Sequence, residues 1–526
     1  MAEGGFLRFF RRRRIDDIFH EANRKQKYKF VFCAIALSSN SSDFYFSGKY
    51  VMIGINIWAE LVALPVTCGS SEGYSSLIGN TDTVSSAEQL RPAYKEETFM
   101  LLIENGYMID PKSGREGKYD ILTEKNQIIK IGKCLRQELG ENMQDNLRII
   151  DASGLLVAPG LVDVHVHFRD PGFTHKEDIE TGAKAAAKGG FTTVVLMANT
   201  KPCVDNEETL SYVLEKGKNT GIHVETCANV TMGMKGTALA PMEALAGKGA
   251  VGFTDDGIPI MDEEMVREAM KKAAALDMPI SFHEENPKLI TNNGINRGKA
   301  SEFYGIGGSP REAEISLVER DLEIALETGA CINIQHISTK EAVELVRRAK
   351  KKGHNIHAEA TPHHFTLTEE AAIEYGTLAK MNPPLREEAD RLAIIGGLVD
   401  GTIDLIATDH APHSAEEKAK PITEAPSGII GLETALSLGI TQLVDGGYMT
   451  MKQLLTLMSF NPAVMYHLNA GYLAEGGPAD LILIDTTEME EVGEYASKSS
   501  NTPFTGWMLK GVVKTTICAG EVVYDK

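Results

Sequence analysis

A chain of 526 residues, 43% hydrophobic and 24% charged, has the length and apolar content for a large buried core. Its formal net charge of −20 argues against broad nucleic-acid or membrane binding, so an anionic ligand would need a cation of its own. Seven scattered cysteines without a C-x-x-C pair argue against a disulfide framework or a thiolate zinc site, and for a reducing cytoplasm.

Residues 1–99 show no sustained period and end in "TCGSSEGYSSLIGNTDTVSSAEQL", which reads as linker or disorder. The basic cluster Arg11 to Arg14 has no apolar run directly after it, which favours a solvated segment over a targeting one. "VMIGINIWAELVALPV" is too short to span a bilayer and contains Glu60. These 99 residues are expected to be an appended or mis-assigned leader, with regular patterning starting at Met100.

Three strand-rich runs follow, "FMLLIENGYMID", "YDILTEKNQIIKIGK" and "RIIDASGLLVAPG", separated by turn residues. Similar runs return at the far end in "ADLILIDTT" and "VVKTTICAGEVVYD". One small β domain assembled from 100–157 and 465–526 is the economical expectation. Between them, over 158–464, eight apolar strand candidates alternate with helical segments: "GLVDVHVHF", "FTTVVLMAN", "IHVETCANV", "GAVGFTDDG", "MPISFHEEN", "ACINIQHIS", "NIHAEATPHH" and "TIDLIATDH". Eight β-α repeats in about 250 residues predict an α/β chain with a (β/α)8 barrel. No G-x-G-x-x-G follows the first strand, which argues against a doubly wound sheet.

In such a barrel the chemistry sits at the C-terminal ends of the strands. Those ends carry His165, His167 and Arg169, then Asn199, Asp255 and Asp256, His283, His336, and Asp409. Alternation along the first strand puts Asp163, His165 and His167 on one face and Val162, Val164 and Val166 on the other. Imidazole with carboxylate suits zinc, with manganese, cobalt or iron as substitutes. Four histidines and two aspartates exceed the three protein ligands of a single catalytic zinc, so a two-metal site fits better. Such a pair acidifies water and polarises a carbonyl, and a nearby carboxylate can carry the proton. These parts describe hydrolysis of an amide or its reverse.

"DVHVHFRDPG", "FTDDG", "MNPPLR" and "ATDHAPH", in this order, resemble the dihydroorotases of the bacterial type I class in the amidohydrolase superfamily. The resemblance covers about 100–526. It implies reversible cyclisation of N-carbamoyl-L-aspartate to L-dihydroorotate plus water in pyrimidine biosynthesis. It also implies zinc, two ions per chain, with His165 and His167 on one, His283 and His336 on the other, and Asp256 bridging. Asp409 would be both a ligand and the general acid/base. Arg169, Asn199 and His413 would clamp the substrate α-carboxylate, and Asn382 would touch the ring. The family often carries Phe-Gly where this chain has Ser427 and Gly428, so the resemblance implies backbone contacts there. The chain is expected to be a cytoplasmic homodimer acting on a small molecule, with aspartate transcarbamoylase a candidate partner.

Rival functions are another cyclic amidase, such as a hydantoinase, dihydropyrimidinase or allantoinase, and an inactive scaffold. Many amidohydrolases bridge their metals with a carboxylated lysine on strand 4. "GAVGFTDDG" has no lysine, and Lys248 precedes it at the wrong end, so Asp256 is preferred as the bridge over Asp255. Cyclic amidases lack the Arg169 clamp, and scaffolds have typically lost metal ligands. His363, His364 and His410 are expected to be structural, Asp163 to orient its neighbours, and His175 and His223 carry no assignment.

Overall fold

The computed structural model describes residues 100–139 and 147–526, and the expected leader with its Arg11–Arg14 cluster lies outside the described residues. The first run forms β1 (Met100–Ile109), and the second forms the hairpin β2 (Glu116–Glu124) and β3 (Gln127–Gly132). The third forms β4 (Leu147–Asp151) and β5 (Leu156–Pro159). β1 pairs antiparallel with β2 through a bulge between Ile103 and Gly106. Gly106 is required there, because a Cβ would lie 2.4 Å from Val157 Cγ2.

The middle of the chain alternates as its sequence predicts. The strands are β6 (Leu161–Val166), β7 (Phe191–Leu196), β8 (His223–Thr226) and β9 (Phe253–Thr254). They continue with β10 (Ile280–Phe282), β11 (Ile332–Ile334), β12 (Ile356–Ala360) and β13 (Leu405–Ile406). All pairings among them are parallel, in a three-stranded sheet β6-β7-β8 and a five-stranded sheet β9 to β13. Single parallel bridges, Ala228 with Phe253 and Val166 with His410, join the two sheets at both edges. Between strands run helices such as α1 (Ile179–Lys188) and α2 (Lys340–Lys350). Asp178 caps α1, accepting from Thr181 N at 2.9 Å, a contact whose loss in Asp178→Ala costs about 1 kcal/mol. α2 buries Ala342, Val343, Val346 and Ala349, one face at helical spacing.

Strict alternation along β6 is a prediction the structure corrects. The β6–β7 register shifts between Asp163 and Val166, where β6 carries one extra residue. Val162 and Val164 therefore join Val195, Met197, Leu405 and Ala407 in one apolar cluster, whereas Val166 joins the larger cluster that contains Phe168 and the helices. A bulge re-aims side chains, and here it sits directly under His165 and His167.

The chain ends in β14 (Leu481–Glu491), β15 (Met508–Cys518) and β16 (Glu521–Asp525). With β1 to β5 they form an eight-stranded mixed sheet, ordered β16-β15-β14-β5-β1-β2-β3. One edge of β1 is shared by β4, which pairs along Met100–Glu104, and β5, which pairs at Tyr107 and Met108. Leu101, Ile103, Ile121, Leu481 and Ile517 pack in a cluster of this sheet's own. β5 belongs to it through Pro159, and Ala463 to Ala470 pack against the parallel strands. No helix among the described residues is long and apolar enough to cross a membrane.

Candidate metal centre

The C-terminal ends of the parallel strands bring five predicted residues around a sixth, the carboxylate of Asp256. Asp256, just past β9, is buried, and its Oδ1 lies 3.4 Å from His165 Nε2, 3.8 Å from His283 Nδ1 and 4.0 Å from His336 Nε2. Its Oδ2 lies 3.5 Å from His167 Nε2. Two ligand groupings result, His165–His167–Asp256 and Asp256–His283–His336, which share Asp256. Asp409 borders the first, with Oδ1 3.0 Å from His167 Nε2 and 3.6 Å from His165 Nε2.

Hydrogen bonding on the far side of each ring fixes what faces inward. His165 Nδ1 donates to Glu359 and His167 Nδ1 to Asn199 Oδ1 at 3.0 Å. Asn199 Nδ2 in turn donates to Asp256 Oδ2 at 2.9 Å, which sets its amide orientation. With their protons on Nδ1, both histidines present Nε2 lone pairs to the carboxylates of Asp256 and Asp409. In the neutral rings lone pairs then face lone pairs, and a cation between them, proton or metal, resolves the conflict. In agreement, His165 Nε2 and Asp256 Oδ1 are buried without a hydrogen-bond partner. This donor set fits divalent metal.

Electrostatics follow from the same crowding. Burial would raise the Asp256 carboxyl, but His165, His167 and His283 hold it below the usual carboxylate range, so it is an anion ready to ligate. Burial opposes charge on His165, yet Glu359 and Asp256 hold its pKa well above the ordinary value. Burial and Arg169 lower His167, while burial, His283 and His165 hold His336 well down.

The backbone is strained at three of these positions. Arg169, His336 and Asp409 have φ of 59°, 32° and 48°, left-handed values that non-glycine residues rarely adopt. Arg169 Nε donates to Pro412 O at 3.3 Å, and its Nη2 lies 3.5 Å from His413 Nε2. His413 Nε2 donates to Ser427 O at 2.8 Å, and its pKa is depressed by burial, Arg169 and Lys176. Asn382 Nδ2 lies 3.1 Å from His283 Nε2, and both line a cavity of about 350 Å³ with Glu285 and Lys380. Gly428 has a φ of 121° and lies over Ala411 and His413. All twelve predicted site residues therefore gather at one end of the parallel strands.

The remaining predicted residues are held elsewhere. Asp255 accepts from Asn229, Val230 N and Thr231, which ties it to the preceding loop. Asp163 accepts from His165 N and Thr408 N, stapling β6 to the end of β13, and burial raises its carboxyl to about 7. His364 bonds Thr361 and Pro383 O, and His410 Nδ1 accepts from Gly431 N. Two residues escaped sequence reasoning. Glu359 on β12 orients His165 and accepts from Asn333 Nδ2 at 2.9 Å, and Glu285 Oε2 lies 3.4 Å from His283 Nε2. An acid inside the apolar run "IHAEA" was the available signal for Glu359.

A third grouping, His223–Asp480–Cys518, lies where β8 meets the mixed sheet. His223 Nε2 bonds Asp480 Oδ2 at 3.0 Å, Asp480 Oδ1 accepts from Ala519 N at 2.7 Å, and Cys518 Sγ lies 3.6 Å from Thr192 O. Burial and Asp480 push the Cys518 thiol far up, so it remains protonated. Each of these atoms already has a partner.

Comparison with known proteins matches this architecture. The dihydroorotase of Clostridioides difficile (strain 630) is 55% identical over 426 residues, 81% of this chain and 100% of the relative. The chain belongs to the dihydroorotase family. A second member, from Clostridium acetobutylicum, is 52% identical over 428 residues, with 81% and 100% covered. The family model described as dihydro-orotase-like matches residues 154–342. Among solved structures, an L-hydantoinase (dihydropyrimidinase) from Arthrobacter aurescens superposes with a TM-score of 0.72 at 24% identity, over 81% of this chain and 96% of that one, a likeness of fold. This family member thus carries its paired histidines on a fold shared with cyclic amidases.

Proposed function

We propose that this chain catalyses the dihydroorotase reaction, reversible closure of N-carbamoyl-L-aspartate to L-dihydroorotate with loss of water, as its family does in pyrimidine biosynthesis. The observation that carries the reading is the pair of histidine groupings sharing Asp256, with Arg169 beside them. The eight parallel strands are read as a closed (β/α)8 barrel, supported by bridges at both sheet edges. The mixed sheet is read as a small β-sandwich domain from both chain ends, supported by the split edge of β1 and a separate apolar cluster.

Two zinc ions would be held by His165 and His167, by His283 and His336, with Asp256 between them and Asp409 on the first. Bound there, divalent metal supplies Lewis acidity to the reacting carbonyl and acidifies water. The protein's own side chains do the rest. Arg169 presents a planar fork to the substrate α-carboxylate, with Asn199 and His413 alongside. Asn382 and the backbone at Ser427 and Gly428 hold the ring. During opening, Asp409 Oδ takes the proton of the attacking water and delivers it to the leaving nitrogen. During closure it accepts the ureido proton. The 3.0 Å approach of Asp409 Oδ1 to His167 Nε2 supports this role.

Carbamoyl aspartate carries one more carboxylate than dihydroorotate, so closure consumes a proton. The product ratio should shift about tenfold per pH unit near neutrality, following the mass action of that proton. Incubating metal-loaded protein with L-dihydroorotate and quantifying both species at two pH values tests this. A ratio independent of pH contradicts the substrate assignment.

A further inference from the structure

Segment 422–428 has no regular secondary structure, yet buried side chains grip its backbone. Lys380 Nζ donates to the carbonyls of Ile422 and Ala425, each at 2.7 Å. Lys418 Nζ donates to those of Pro426 and Gly428, each at 3.0 Å. His413 Nε2 takes Ser427 O, and Asn501 Nδ2 adds a bond to Gly428 O at 3.0 Å. Five of the seven carbonyls in 422–428 thus turn onto side-chain donors. The main chain joins in, with Gly428 N donating to Lys380 O at 2.9 Å.

Both lysines are buried, 3% and 5% exposed, and among the described residues neither forms a salt bridge. Burying an ammonium without a carboxylate partner is costly, and the site shows that cost. Burial lowers Lys380, and burial together with the Lys380 charge takes Lys418 down to about 7. Ordinary loops are not fastened this way.

The fastened segment carries groups that face the site. Ser427 Oγ is buried with no hydrogen-bond partner. Gly428 lies so close that a Cβ would be 2.7 Å from Ala411 Cβ and 3.4 Å from His413 Nε2. Lys380 also stands two residues before Asn382, which touches His283. It therefore links the two stretches that flank the cavity of about 350 Å³.

We propose that Lys380 and Lys418 are positioning residues that lock segment 422–428 onto the site, so that Ser427 and Gly428 meet the substrate in a fixed geometry. The inference rests on the ring-opening reading above. Each ammonium spends two of its three donors on carbonyls of the segment, so its role is to hold backbone. A segment that packs against the substrate away from the reacting carbonyl contributes alike in the ground and transition states, so its loosening appears in KM.

The test uses the metal-loaded full chain as wild type, Lys418→Gln and Lys380→Gln, with two readouts. Ring opening of L-dihydroorotate should show KM raised about tenfold with kcat within about twofold. Amide hydrogen exchange without substrate should accelerate about tenfold in 422–428, with the parallel strands unchanged. Unchanged KM and exchange in both variants overturn the proposal. So does lower kcat at constant KM, or faster exchange across the whole chain. If wild type fails to turn over, the ring-opening reading falls, while the exchange readout still judges the clamp. If neither variant folds, wild-type exchange decides: strand-like protection of 422–428 supports the clamp, and open-loop rates overturn it.

Discussion

At the C-terminal ends of the parallel strands, His165 Nε2 and Asp256 Oδ1, which face each other at 3.4 Å, are buried without hydrogen-bond partners. Where β8 meets the mixed sheet, His223, Asp480 and Cys518 come equally close, and each of their ligating atoms is engaged. The first grouping sits among left-handed residues at Arg169, His336 and Asp409. The second ties the chain's far end to the parallel strand β8. Ligand-type residues gathered together are therefore a weak signal of a metal site. Facing ligand atoms left unsatisfied beside strained backbone are the stronger one, because a bound cation recovers the free energy they cost.

The largest test of this contrast is Asp409→Asn, which keeps the shape but removes the carboxylate. It should lower kcat for ring opening about 10²- to 10⁴-fold in steady-state assays. Asp256→Ala should also lose metal by elemental analysis. Asp255→Ala should retain it and lose stability instead, since Asp255 holds the preceding loop through Asn229, Val230 and Thr231. The reverse order would exchange the roles of the two aspartates.

Arg169→Met should raise KM about 10- to 100-fold, the value of a charge-assisted bidentate pair. Unchanged KM would remove Arg169 from the substrate clamp. Glu359→Gln should weaken metal binding about 10- to 100-fold in competition with a chelator, because it orients the His165 ring.

The smallest effect belongs to the second grouping. His223→Gln should leave metal content and turnover within about twofold of wild type, since a satisfied ion pair acts on stability alone. The Asp480 hydrogen bond and charge raise the folded pKa of His223 above 6.5. Its stabilisation is therefore full below about pH 6.5 and fades as pH rises through the raised value. The Tm difference between wild type and variant should shrink in that direction. A difference that grows with pH would contradict the assigned pair.

Much of this was legible before the structure. Eight apolar runs separated by helical segments matched the parallel strands, and the polar residues at the run ends are the candidate ligands that the fold gathers. The bulge in β6 was not legible, because an extra residue in a strand leaves the apolar pattern almost untouched. Glu359 was missed for a related reason, since its partner His165 lies 194 residues away. Lys380 and Lys418 look like surface lysines in sequence, and only the fold shows them buried against carbonyls. Pattern reveals periodicity, whereas these features depend on what closes in from distant segments.

One measurement tests the central claim most directly: ring opening of L-dihydroorotate by purified protein, followed by ultraviolet absorbance, before and after chelation and zinc restoration. The account predicts turnover that disappears with the metal, returns with zinc, and stays absent in zinc-loaded Asp409→Ala. A wild-type protein with zinc fully bound at the His165–Asp256–His336 cluster and no turnover would contradict it.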